Sequence, residues 1–228
     1  MSNRTILILL GAAAVVVTAA LLAGKGGGPK PSPQVAPTTS KATSEAKPTQ
    51  QETAVPQAQI AVDGKGDDWS SVPALLVPKP DRWDTRTYNC QAVKCARDEK
   101  NLYVLFVLGL GIRERYDRQM QAGGPPSSGA LGYLKFQTEG KQFSIWVPTG
   151  VSQTFGKTGQ VIKSLPTADF EVSRYNPATQ GWGKIFAAES ENGSEFIGFD
   201  GKLLEIKLPL EKLGIAGTFP ISASLREM

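Results

Sequence analysis

Two segments, read together, constrain the fold more than any other feature of the chain. Ile60–Trp69, IAVDGKGDDW, sets a short apolar run before an Asp-Gly turn and an Asp-Asp-Trp corner. Cys95–Val107, CARDEKNLYVLFV, supplies a strand, a tight polar loop and a second strand. Asp-Gly suits a turn because Gly accepts positive φ and the carboxylate can take backbone N–H bonds. Two β-rich runs joined by Asp98-Glu99-Lys100-Asn101 predict an antiparallel hairpin. A folded domain made of antiparallel strands therefore begins near Ile60.

The pattern continues downstream. Ala74–Val77 predicts a short strand closed by Pro78 and Pro80. Leu102–Leu108 is apolar almost throughout, as a central strand covered on both faces requires. In Gly132–Thr138, Tyr133, Lys135 and Gln137 alternate with Leu134, Phe136 and Thr138, and Gly140 turns the chain into Gln142–Val147. Weaker strands are expected near Val161-Ile162, Phe170–Tyr175, Lys184–Ser190 and Phe196–Phe199. Leu204, Ile206 and Leu208 alternate with charged residues before a short Leu210–Leu213 turn, and Phe219–Leu225 closes the series. In Ile112–Met120, Ile112, Tyr116 and Met120 recur at helical spacing, which predicts a short amphipathic helix over a sandwich edge. The fold class is all-β, an antiparallel β-sandwich over residues 59–228.

Before that domain the composition changes twice. Thr5–Ala23 is an uncharged apolar run of 19 residues between Arg4 and Lys25. Crossing hydrocarbon takes about 20 such residues, whereas the apolar core of a cleavable signal is roughly 7–15. The run predicts a signal anchor, residues 1–23, that holds the protein in a membrane as a single transmembrane helix. Residues 24–58 are rich in Gly, Pro, Ser, Thr, Gln and Ala and lack aromatic side chains, the composition of a disordered linker. Its r.m.s. reach is on the order of 30 Å. The folded domain is expected on the extracytoplasmic side, periplasmic or at the cell surface.

Charge excludes some partners. Of the formal +4, residues 1–58 hold five basic against two acidic side chains, so the domain is almost neutral. Nucleic-acid binding needs clustered Lys and Arg, and no such cluster is present. Histidine is absent from the whole chain, which removes the usual catalytic triads and most metal sites. No metal, cofactor or enzyme activity is expected. Haem ligation would have to draw on Met120 or Met228, with a lysine as second ligand. Cys90 and Cys95 are the only cysteines. An even count in an exported domain predicts a local disulfide between them. The alternative is two reduced, half-buried thiols, because residues five apart on a regular strand face opposite sides.

The opening IAVDGKGDDW, the hairpin VKCARDEKNLYVLFVL and the exit KLLEIKLPLEKLGI together resemble family 9 carbohydrate-binding modules and related DOMON-like sandwiches. Those families share an Ile-x-Ile-Asp-Gly-x-x-x-Asp-Trp opening, a strand leading into Leu-Tyr-Val, and a late Glu-x-x-Ile-Pro-Leu-x-x-Leu-Gly. The resemblance runs from Ile60 to the carboxyl end and implies a β-sandwich that binds a saccharide. Asp63, Gly64 and Trp69 read as structural parts of that pattern. Where family members carry an acidic pair and then an Asp, this chain has Gly109-Leu110-Gly111 and Ser127-Ser128-Gly129. The contacts made by those acids are not carried over.

Saccharide recognition uses flat aromatic faces against C–H surfaces, with polar side chains for the hydroxyls. Trp83 lies in a polar loop beside Arg82 and Arg86, and Trp182 lies between two glycines. These residues, with Tyr116, form the expected ligand-binding set. Trp146 stands between Ile145 and Val147 and is expected in the core. The alternative partner is another envelope protein, docked on the same fold.

Overall fold

The computed structural model describes residues 53–78, 88–123, 128–190 and 195–227, and within them the chain forms two antiparallel sheets. The strands are β1 Thr53–Ala54, β2 Ala74–Leu76, β3 Cys90–Arg97, β4 Asn101–Leu108, β5 Gly129–Thr138, β6 Lys141–Phe155, β7 Val161–Asn176, β8 Gly181–Glu189, β9 Ile197–Asp200, β10 Leu203–Pro209 and β11 Pro220–Glu227. Helix α1 spans Ile112–Gln121 and α2 spans Leu210–Leu213. One sheet runs β1-β11-β5-β6-β7-β8 and the other β2-β3-β4-β10-β9.

Period-two burial explains how the sheets pack. Leu134 and Phe136 on β5, Phe143, Ile145 and Val147 on β6, and Phe170 and Val172 on β7 turn inward. They share one core with Val93, Val104, Phe106, Leu204 and Ile206 from the other sheet. Side chains from two inner faces filling one apolar layer make a sandwich, as the alternation predicted.

β4 is apolar on both faces because both are covered. Leu102, Val104, Phe106 and Leu108 enter the main core. Tyr103 and Leu105 enter a second cluster with Ile60, Trp69, Val72 and Ala96. The entry segment is thus a lid on the outer face of the five-stranded sheet. Ile60–Val62, expected as a strand, makes no ladder; the Ala61 N–H donates instead to the Asp68 carboxylate at 2.8 Å.

Glu205 on β10 fastens this lid. Its carboxylate accepts the backbone N–H groups of Asp63 and Gly64 at 2.9 and 2.7 Å, and the Trp69 indole N–H at 3.0 Å. Burial raises the Glu205 pKa, and the three donated hydrogen bonds only partly offset that rise. Gly64 has φ +79°, and a Cβ there would lie 2.6 Å from the backbone of Phe199 and Asp200. No other residue fits that approach without displacement. The opening and exit motifs are therefore two halves of one buried contact.

Three expectations are revised. Cys90 and Cys95 carry separate thiols rather than a disulfide. Five residues along one strand span about 16 Å, against a Cα separation below about 7 Å in a disulfide. A register shift between Cys90 and Ala92 turns both sulfurs into the same core. The domain also begins earlier than residue 59. Thr53–Ala54 pairs with β11, Val55 is buried, and the Ala58 N–H donates to the Arg97 carbonyl at 2.9 Å. Last, the separate strands expected near Val161 and Phe170 are one long strand, β7. The expected signal anchor and most of the expected linker lie outside the described residues, as does the Arg82–Arg86 loop. No helix among the described residues is long and apolar enough to cross a membrane.

The ends of β6 and β7 outrun their neighbours. β5 pairs with β6 as far as Thr149, and β8 pairs with β7 only from Asp169. Residues 150–155 and 161–167 therefore pair across β6 and β7 alone, as a two-stranded ribbon. α1 braces it, the Tyr116 hydroxyl donating to the Ser164 carbonyl at 3.2 Å.

Candidate functional site

If Leu134, Phe143, Ile145 and Val172 face the core, their neighbours on β5, β6 and β7 must face out. The register lines these outward residues into rows across the six-stranded sheet. One row is Arg226, Tyr133, Trp146 and Glu171. The next is Ser224, Lys135, Ser144, Ser173 and Lys184. Beyond it Tyr175 stands opposite Trp182.

Side-chain size along these rows makes a cleft. The serines of the middle row are small, and aromatic rings rise on either side of them. Tyr133 and Trp146 stack with centroids 4.3 Å apart and 27° between their planes. Tyr175 and Trp182 meet at 5.5 Å and 57°. The resulting cavity holds about 460 Å³ and is lined by Tyr133, Lys135, Ser144, Trp146, Glu171, Ser173, Trp182 and Arg226. Trp182 is 43% and Tyr133 37% exposed, so both present ring surface to solvent.

Polar groups complete the lining. Lys135 Nζ lies 5.7 Å from the centre of the Trp182 ring, within cation–π range. Glu171 is ion-paired with Lys184 at 2.9 Å. Ser144 and Ser173 offer hydroxyls from the floor. The cleft combines aromatic faces, hydrogen-bond donors and acceptors.

Of the residues expected to bind ligand, Trp182 is in this cleft. Tyr116 is not: it is half-buried on α1, and its hydroxyl is engaged with the ribbon. Trp83, Arg82 and Arg86 lie outside the described residues. Trp146, expected in the core, is the main correction. Ile145 and Val147 beside it are fully buried, so parity turns Trp146 to the outer face. Tyr133, Lys135, Glu171 and Arg226 went unassigned because they are far apart in sequence. The signal that could have found them was the polar half of the β5 alternation.

A second hollow, of about 560 Å³, lies beside Gln57–Gln59 and the Asp98–Lys100 loop. Its carboxylate is already occupied. Asp98 accepts the Tyr103 hydroxyl at 2.6 Å and the backbone N–H groups of Lys100 and Asn101 at 2.7 and 2.6 Å. Burial alone would raise the Asp98 pKa, but these bonds outweigh it and hold the carboxyl below its ordinary value. Burial, then the hydrogen bond to Asp98 and its charge, push Tyr103 up to about 12. This cluster closes a turn.

Among the described residues no group of three or more Cys, Asp or Glu side chains could hold a metal ion. In comparisons with known proteins, no family model, no curated protein and no solved structure matches the chain.

Proposed function

We propose that the domain binds a saccharide in the cleft on the outer face of the six-stranded sheet and performs no chemistry on it. The observation that carries this reading is the pair of aromatic walls, Tyr133–Trp146 and Tyr175–Trp182, separated by a serine floor. Flat rings suit the C–H faces of pyranose rings, and the polar lining suits their hydroxyls. Glycoside hydrolysis uses two carboxyl groups, whereas among the described residues Glu171 alone lines the cleft with a carboxylate.

The likeness of the opening and exit motifs to family 9 carbohydrate-binding modules points the same way. In this reading Thr5–Ala23 anchors the chain in a membrane, and the segment after it displays the cleft on the extracytoplasmic side. Affinity electrophoresis of Ala46–Met228 through gels containing single polysaccharides tests the proposal. Both core clusters lie between residues 55 and 221, so this fragment holds the whole fold. Retardation by a glycan, abolished by Trp182→Ala and by Trp146→Ala, is the expected result. No retardation across a broad panel would refute it.

One observation favours a second reading, docking of an envelope protein. Phe155, Val161, Ile162 and Leu165 on the ribbon are 41–62% exposed. Contiguous apolar exposure of this kind marks interaction surfaces.

A further inference from the structure

We infer that the cleft selects an anionic saccharide, one bearing carboxylates such as a uronic acid, over its neutral counterpart. The inference rests on the saccharide reading above and adds the charge of the ligand to it. Four charged side chains face or border the cleft: Lys135, Glu171, Lys184 and Arg226. Glu171 and Lys184 neutralise one another. Among the described residues neither Lys135 nor Arg226 is ion-paired with a carboxylate, and Lys135 meets only the face of Trp182. The cleft therefore carries two uncompensated positive charges, on a domain that is close to neutral as a whole.

Their placement suits one ligand group. Arg226 stands directly across from Tyr133, and Lys135 lies two residues further along the same strand. Such diagonal neighbours on one face of a sheet are about 7–8 Å apart at the backbone, within reach of a common anion for side chains of this length. Both side chains are exposed, so they bind without a prior burial cost. An arginine presents a planar fork that matches a carboxylate with two parallel N–H bonds, and a lysine adds a mobile point charge. A sugar ring seated between Trp146 and Trp182 would lie beside the Lys135 ammonium, which reaches over the Trp182 ring, and a carboxylate on its β5 side would draw Lys135 back toward Arg226. A neutral ring in the same seat would leave both cations facing only water.

The test uses the full chain in detergent micelles and titration calorimetry. Probes are oligomers of galacturonic, glucuronic and mannuronic acid, each beside its methyl ester, with neutral gluco-oligomers of equal length and polyglutamate as controls. The expected result is that one free acid binds about tenfold to a hundredfold tighter than its ester, the range for charge-assisted hydrogen bonds. Raising salt should narrow that gap. Arg226→Gln and Lys135→Gln should each weaken binding of the acid by about tenfold, more than either weakens binding of the ester. Equal binding of acid and ester, unaffected by Arg226→Gln, would overturn the charge inference while the saccharide reading stands. Binding of polyglutamate as tightly as the sugar acid would overturn it too, since charge without a ring would then suffice. Binding of no saccharide would overturn both.

Discussion

Replacing Glu205 with Ala should loosen the entry segment and cost the fold about 3 kcal/mol. Glu205 accepts three hydrogen bonds, from the Asp63 and Gly64 N–H groups and the Trp69 indole. The side chain is 1% exposed, and two of the three contacts are fully buried. A buried donor left without an acceptor costs about 1–3 kcal/mol. Against that sum, the variant is relieved of a desolvated carboxylate, the same desolvation that raises the pKa. We set the net near 3 kcal/mol, a loss that a domain of ordinary stability, about 5–15 kcal/mol, survives. Trp69→Phe removes the indole bond alone and should cost about 1.5–3 kcal/mol, the range for a bond to a charged group. The assay is urea unfolding of Ala46–Met228, followed by circular dichroism. The sign of the pH dependence is also set. A carboxyl whose folded pKa is raised contributes stability fully below its unfolded value and loses that contribution as pH rises through the folded value. The difference between wild type and Glu205→Ala should therefore shrink as pH rises above the ordinary carboxylate range. A Glu205→Ala domain within about 1 kcal/mol of wild type would refute the reasoning, as would a difference that widens with pH.

Cys95 is buried and its thiol is pushed up to about 12, so it should resist iodoacetamide in the native domain and react once unfolded. Mass spectrometry of the unreduced, unfolded protein should find two alkylated cysteines; a mass showing one bridged pair would contradict the strand geometry. Phe155→Ser with Ile162→Ser, at exposed ribbon positions, should change stability by no more than about 0.5 kcal/mol while reducing binding of a hydrophobic dye. A large loss of stability would show that the ribbon's apolar residues are packed rather than presented. Tyr116→Phe removes the α1 hydroxyl bond to Ser164 and should leave saccharide affinity unchanged while raising hydrogen exchange in the ribbon; loss of affinity would place α1 in the site.

Much of the fold was legible because period-two alternation is a direct consequence of strand geometry. Leu134, Phe136, Leu204, Ile206 and Leu208 gave both the strands and their inward faces. The all-apolar β4 announced cover on both sides, although not that the cover is an irregular lid. Ile60–Val62 alternates like a strand, but its partner groups are a carboxylate and a turn, which a local pattern cannot reveal. Glu205 looked like one charged residue on an exposed face. Its role exists only once β10 lies beneath the Asp63-Gly64 turn, 141 residues away in sequence. The cysteines were misjudged because an even count says nothing of distance, and five residues along one extended strand hold the two thiols too far apart to bridge. The cleft was half legible. Trp182 stood out by its flanking glycines, but Trp146 was masked by the apolar residues beside it. Loops attract attention as binding sites because they vary, yet here the aromatic residues are set by the regular pleat of the sheet.

The central claim is that the cleft between Trp146 and Trp182 holds the ligand, and the tryptophan indole N–H signals report on it directly. A ¹⁵N-labelled Ala46–Met228 domain shows an indole resonance for each of Trp69, Trp83, Trp146 and Trp182, assignable by single Trp→Phe substitutions. Titration with the best-retained glycan should shift the Trp146 and Trp182 signals and leave Trp69, bonded to Glu205 on the other sheet, in place. Binding that moves other signals while Trp146 and Trp182 stay fixed would contradict the account.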